Sequence, residues 1–122
     1  MAIDTKRLAG IAYVTVDGQQ YMLSADLSYQ VSSVSRETLV GQDSVHGFSE
    51  KPIAGFISGQ FRDAGNLSVA AFNAMTDVSV VAQLANGKII TGRNMWTVDA
   101  QEVKTMEATF EVKWEGFSVE EA

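Results

Sequence analysis

The chain has 122 residues, of which 46% are hydrophobic and 20% charged, and this balance fits one compact domain and excludes a large multidomain enzyme. Fifteen acidic residues against nine basic ones give a net charge of -6, opposite to the basic surface of nucleic-acid-binding domains. The chain has no cysteine, which excludes disulfides, thiolate nucleophiles and sulfur-ligated metal sites.

The first residues give no sign of export or membrane insertion. Asp4, Lys6 and Arg7 are charged, and no long apolar segment follows them. Secretory signals and membrane spans both need such a segment. We therefore expect one soluble domain over residues 1–122, made in the cytoplasm and without a membrane-spanning segment.

Two strand patterns open the chain. Apolar residues between Ala12 and Ser24 surround Asp17-Gly18, a dipeptide that tolerates the positive φ angles of a tight hairpin turn. From Leu27 to Val40, β-favouring residues alternate with polar ones, and no helix cap is present. The sequence thus predicts a short hairpin and then one long strand with a polar face.

Residues 41–52, GQDSVHGFSEKP, interrupt this pattern. They mix two glycines, a proline and four ionisable side chains, and they follow neither the helical period nor the two-residue period. We expect a long loop there. Beyond it, Ile53, Ile57 and Phe61 alternate through two glycines that permit close backbone approach, which predicts another strand.

The second half of the chain predicts one helix and three strands. Asn66 can cap a helix, and apolar residues recur at helical spacing from Leu67 to Met75. Asn86-Gly87 lies between Val- and Ile-rich segments and predicts a hairpin. Alternation from Met106 to Trp114 predicts a final strand with one apolar side, made of Met106, Ala108, Phe110, Val112 and Trp114. The predicted fold is therefore mainly β, an antiparallel sandwich or barrel with one short helix packed alongside.

Residues that could carry chemistry are few. His46 is the only histidine, so a metal site with Asp43 and Glu50 would consist almost entirely of carboxylates, which disfavours it. Ser44 beside His46 lacks the third group and the concave site of a catalytic triad. No glycine run reproduces a phosphate-binding loop followed by a helix. We expect neither enzymatic activity nor a cofactor.

Four segments in a fixed order resemble one protein family. They are AGIAYVTVDG at residues 9–18, GQDSVHGFSEKP at 41–52, QLANGKIITGRNMW at 83–96 and ATFEVKWEG at 108–116. Together, and over nearly the whole chain, they resemble the Mu-like tail tube proteins of contractile-tailed bacteriophages. The resemblance implies a structural protein whose hexameric rings stack into a hollow tube inside the contractile sheath and conduct viral DNA into the host.

The resemblance also implies partners and surfaces. The implied partners are further copies of the chain, the tail sheath protein, and the baseplate and tail terminator proteins of the virion. Loop 41–52 is expected to contact a neighbouring subunit or ring through Gly41, Gln42, Asp43, His46, Phe48, Glu50, Lys51 and Pro52. The lumen is expected to be lined by Ser28, Gln30, Ser32, Ser58 and Gln60. Short neutral side chains and an acidic subunit suit a conduit through which DNA passes without specific binding.

Three alternatives stay open at this stage. A tube subunit of a DNA-free contractile bacteriocin or injection system would have a similar sequence. A monomeric β-sandwich binding module could use the long loop and exposed aromatic residues for one partner. A small enzyme is disfavoured, because the single histidine has no recognisable catalytic partners.

Overall fold

A computed structural model describes Lys6 and residues 10–21, 23–63, 65 and 68–122, with the backbone alone at Ala25 and Asp26. These residues form ten strands and one helix. In chain order they are β1 Tyr13–Val16, β2 Gln19–Tyr21, β3 Leu23–Gln30, β4 Val34–Val40, β5 Val45–Pro52, β6 Gly55–Arg62, α1 Val69–Asn73, β7 Val78–Gln83, β8 Ile89–Val98, β9 Thr109–Gly116 and β10 Val119–Glu121. The prediction of a mainly β fold with one short helix is confirmed.

Eight of these strands form one antiparallel sheet that curls around the core. Its order is β2-β1-β7-β8-β9-β6-β3, and β10 pairs with β8 beside this path. Strand β8 changes partners along its length, because Gly92 lies opposite Val80 and Val119 whereas Trp96 lies opposite Glu115 of β9. Between them Asn94 has φ 53°. This local departure from extended backbone lets one strand serve both halves of the sheet.

Both hairpins signalled by turn dipeptides are present. Asp17 and Gly18 have φ 49° and 85° and join β1 to β2, as a two-residue type I′ turn requires. At the second hairpin only Gly87 has positive φ, and its N–H donates to the Leu84 carbonyl at 3.0 Å. The β7–β8 connection is therefore a longer loop that ends on a left-handed glycine.

The predicted long strand and long loop are both wrong. The segment 27–40 is divided between β3 and β4, with residues 31–33 outside any strand. Residues 45–52 form β5, which pairs antiparallel with β4 from Val34↔Pro52 to Val40↔Val45. The glycines and charged residues did not signal a strand because this hairpin is exposed on both faces, so burial imposes no alternation on it.

Helix α1 begins later than predicted. Its cap is Ser68, whose Oγ accepts from the Ala71 N–H at 3.2 Å, while the expected cap Asn66 and Leu67 lie outside the described residues. Phe72 is its buried residue, and the Phe72 carbonyl accepts from Thr97 Oγ1 of β8 at 2.6 Å. A helix this short depends on such packing for its stability.

An aromatic cluster fills the core. The Phe72 ring lies 5.0 Å from Tyr21 and 5.5 Å from Phe110, and the Phe61 ring lies 5.9 Å from Trp114, measured between centroids. Such contacts add to the free energy of apolar burial. Helix and sheet are thus held together by one continuous apolar interior.

The final strand confirms part of the predicted register. Phe110, Val112 and Trp114 are buried, and Glu111 is exposed. Met106, however, is 98% exposed, because β9 begins only at Thr109. Ala108 before it has φ 55°, which places the preceding residues in a turn instead of the strand. The apolar side of the strand therefore starts four residues later than the alternation suggested.

Lys88 connects the β7–β8 loop to the C-terminal strand. Its Nζ donates to Glu121 Oε2 at 2.9 Å, and this hydrogen bond, with the charge of Glu121, raises the pKa of Lys88. Because the pKa of Lys88 is higher in the folded state, its ion pair with Glu121 contributes fully to stability below the unfolded-state pKa of the lysine. That contribution is lost as pH rises through the folded-state pKa. Above a pH of about 10.4, we expect the stability of Lys88→Met to fall less steeply with pH than that of the parent protein.

Denaturant melts at several alkaline pH values measure this. Lys104→Met, which removes a lysine with no such carboxylate partner among the described side chains, is the control. A Lys88→Met variant with the pH dependence of the parent protein would contradict the assignment.

Candidate functional site

One side of the sheet is polar over four adjacent strands. Ser28 of β3 lies opposite Ser58 of β6, and Ser58 lies opposite Lys113 of β9. The next row runs from Gln30 through Phe56 and Glu115 to Trp96 of β8, and these side chains alternate with the buried ones. We call this surface the polar face, and it consists of Ser28, Gln30, Phe56, Ser58, Gln60, Trp96, Val98, Glu111, Lys113 and Glu115.

The structure brings four of the five expected lumen residues onto this face. Ser28, Gln30, Ser58 and Gln60 share it because they occupy matching positions of β3 and β6. Ser32 does not, because β3 ends at Gln30 and Ser32 follows it in an exposed connection. The contributions of β8 and β9 to this face were not predicted.

The charges of the polar face are not evenly available to solvent. The Lys113 ammonium lies 3.8 Å from Glu115 Oε1 and 4.5 Å from the centroid of the Phe56 ring. At the end of β6, Arg62 Nη1 donates to the Glu107 carbonyl at 2.9 Å. Glu111 is exposed and makes no ion pair with another described side chain. On this face Glu111 is therefore an exposed carboxylate without an ion-pair partner among the described side chains, whereas the ammonium of Lys113 has a carboxylate and an aromatic ring beside it.

The second candidate surface is the hairpin of β4 and β5, residues 34–52, which we call the exposed hairpin. Four of its apolar side chains are between 47% and 69% exposed, namely Leu39, Val40, Val45 and Phe48. Isolated two-stranded hairpins are at best marginally stable in water. Their exposure makes the exposed hairpin a candidate contact surface.

Side-chain contacts nevertheless order the exposed hairpin. Arg36 Nε donates to Glu50 Oε1 at 2.7 Å, and the Arg36 guanidinium lies 5.6 Å from the Phe48 ring centroid. These three residues share one face with Pro52, whereas Lys51 lies on the other. The predicted contact residues did not include Arg36, Leu39, Val40 and Val45. Two apolar residues before the Gly-Gln-Asp-Ser turn and one after it form a pattern that could have indicated a hairpin.

The tip of the exposed hairpin is closed by a polar contact. His46 Nε2 and Asp43 Oδ1 are 2.8 Å apart, and this hydrogen bond lowers the pKa of Asp43. The Gly41 N–H donates to the Ser44 carbonyl at 2.8 Å, and the His46 ring occupies the space that a side chain on Gly41 would need. Gln42 is exposed in the same turn. The eight predicted contact residues therefore lie along one hairpin, four of them at or beside its tip.

Two further classes of site were searched for. In the described part of the chain, no three His, Asp or Glu side chains gather in a way that could hold a metal ion. None of the described helical residues forms an apolar stretch long enough to cross a membrane.

Comparison with known proteins places this geometry in a family. A family model described as phage tail tube protein matches residues 5–121. The chain belongs to the phage tail tube protein family. In this tail tube protein, the polar face and the exposed hairpin are therefore surfaces of a subunit from a family of structural tube proteins.

Solved structures of similar fold come from contractile particles. The tail tube protein is similar to a chain in the sheath/tube terminator of an extracellular contractile injection system, PVC, in the extended state, with TM-score 0.63, 11% identity, and 91% of this chain and 92% of that chain covered. It is also similar to the tube-terminating cap of the anti-feeding prophage, with TM-score 0.60, 13% identity, and coverage of 100% and 91%.

A third similar chain belongs to the sheath-tube complex of the PVC system, with TM-score 0.60, 13% identity, and coverage of 99% and 91%. At these identities the likeness concerns the fold alone. No curated protein sequence matches the chain.

Proposed function

We propose that residues 1–122 form one tail tube subunit that assembles with copies of itself into hexameric rings, and that the rings stack into the tube of a contractile tail. The observation that carries this proposal is the family match across residues 5–121. The subunit acts as a structural part of the virion and not as an enzyme. It is made in the host cytoplasm, and it meets the sheath, baseplate and tail terminator proteins in the assembled tail.

In this proposal the polar face lines the lumen. Ser28, Gln30, Ser58 and Gln60 are short or neutral, so they offer a phosphate backbone no fixed charge. The net charge of -6 weakens attraction to DNA further. Viral DNA can then move through the tube without being retained, which is the property that a conduit needs.

The exposed hairpin supplies the contact between subunits or rings. Its apolar side chains would leave water when a neighbouring copy covers them, and that burial favours association. The Arg36–Glu50 pair and the Asp43–His46 contact hold the hairpin in shape before assembly. Less conformational entropy is then lost when the contact forms.

A shortened hairpin tests this role. Replacing residues 38–48 by Asn-Gly joins Glu37 to its partner Ser49 and keeps Arg36 opposite Glu50. We expect the variant to fold but to lose tube formation. Electron microscopy of the purified proteins should show rings or tubes about 80 Å or more across for the parent chain, roughly six small domains in a circle.

The matched control is Met106→Ser, which removes an even more exposed apolar side chain outside the hairpin and should leave tubes intact. Normal tubes from the shortened protein would overturn the hairpin contact. A parent chain that stays monomeric in the micrographs and in size-exclusion chromatography would overturn the tube itself and favour a monomeric binding module.

A second function is favoured by the solved structures of similar fold. All three reported above belong to PVC or anti-feeding prophage particles, so the chain could be the tube subunit of a DNA-free contractile bacteriocin or injection system. The protein surfaces would be used in the same way. Nucleic-acid content of particles purified from the producing cells distinguishes the two, since only a phage tail is attached to a genome-filled capsid.

A further inference from the structure

Lys113 is a cation in the middle of an otherwise neutral or acidic surface. It lies on β9 opposite Ser58, with Val98 of β8 on its other side. A free ammonium at this position would be a point charge for a passing phosphate. A lumen that does not retain DNA should therefore contain a means of neutralising it.

The neighbours of Lys113 supply one. Glu115 lies two residues further along the same strand, so its carboxylate is on the same face, 3.8 Å from the ammonium. Phe56 lies directly opposite Glu115 on β6, and its ring centroid is 4.5 Å from the ammonium. Attraction to the carboxylate and to the negative face of the ring both hold the ammonium against these two groups, although the Lys113 side chain stays 36% exposed.

We propose that Glu115 and Phe56 mask Lys113, so that the centre of the polar face presents no free ammonium to a phosphate backbone. This inference rests on the proposed lumen. It adds a specific positioning role: Glu115 and Phe56 act through the lysine and do not themselves need to touch DNA. Two other cations lie at the edge of this surface: Arg62 at the end of β6, which donates to the Glu107 carbonyl, and Lys104 beside Gln60 and Glu111.

The strand offers a matched control. Glu111 lies on the same strand and face as Glu115, but Lys113 is paired with Glu115 and not with Glu111. Glu115→Gln and Glu111→Gln therefore change the net charge equally, and only the first removes the partner of Lys113. If general acidity alone kept DNA mobile, both variants would behave alike.

The first measurement needs only the folded chain. Limited acetylation with acetic anhydride, followed by mass spectrometry, compares the labelling rate of Lys113 with that of the exposed Lys51 in the same molecule. We expect Glu115→Gln and Phe56→Leu each to raise this ratio about two- to fivefold, the range expected for exposed ion pairs and cation–π contacts. Glu111→Gln should leave it unchanged. Equal ratios in all four proteins would overturn the masking.

The second measurement uses assembled tubes and short duplex DNA at increasing salt. Glu115→Gln should retain DNA at low salt and release it as salt rises, and the additional change Lys113→Gln should abolish that retention. If Glu115→Gln and Glu111→Gln both retain DNA, and to the same extent, the proposal is overturned. If labelling shows that Lys113 is masked but neither variant retains DNA, the lumen assignment is refuted instead, so the two failures are distinguishable.

Discussion

Replacing Phe110 by alanine should lower the free energy of unfolding by about 3–5 kcal/mol. The side chain is 1% exposed, and its ring lies 5.5 Å from that of Phe72 and 6.0 Å from that of Phe61. Its removal leaves a cavity between the sheet and the helix that the surrounding rings cannot fill without leaving their own contacts. Urea denaturation of the purified protein measures the loss.

The neighbouring residue provides the control. Glu111 follows Phe110 and points to the opposite side of β9, so Glu111→Gln should change the free energy of unfolding by no more than about 0.5 kcal/mol. Equal losses for the two variants would contradict the register of the last strand. Because both substitutions lie in one strand, a general weakening of that strand cannot produce the expected difference.

Lysines introduced on the polar face should make the tube retain DNA. We expect the triple variant Ser28→Lys, Gln30→Lys and Gln60→Lys to assemble normally but to retain duplex DNA in the tube. Each phosphate that a lysine neutralises releases counterions, so binding weakens as the salt concentration rises. For about six to ten such contacts, the affinity falls by roughly 10³–10⁵ between 50 and 200 mM salt. DNA retention by assembled tubes should therefore fall steeply with salt.

A control with the same charge change separates position from net charge. Gln20, Ser79 and Gln83 are exposed on β2 and β7, away from the polar face, and their triple lysine variant should retain no DNA inside the tube. Particles of the first variant that deliver DNA at the normal rate would refute the lumen assignment, whatever the exposed hairpin contributes to assembly.

The predictable parts of the fold were those that local chemistry determines. Asp17-Gly18 located the first hairpin because few residue pairs tolerate two positive φ angles in succession. Alternation located Phe110, Val112 and Trp114 in the core because β9 is buried on one side only. The four expected lumen residues that share a face came from the resemblance, and the structure brings them together because β3 and β6 are paired, with Ser28 opposite Ser58.

The unpredictable parts depend on contacts that a short window does not contain. Strand β5 is exposed on both sides, so its glycine and charged residues were indistinguishable from a loop. Met106 continued the apolar period of β9 by chance, and only the positive φ of Ala108 shows where the strand begins. The contact between Lys113 and Phe56 joins two strands that are far apart in the sequence, so no local pattern around Lys113 indicates it.

The change of partners along β8 has a mechanical consequence. Its first half is hydrogen-bonded to β7 and β10 and its second half to β9, so the two halves of the sheet share one continuous strand. Opening either half pulls on backbone that the other half holds, and the two should lose order together. When a stacked tube is bent or twisted, we therefore expect the contacts between subunits to separate before the sheet within a subunit does.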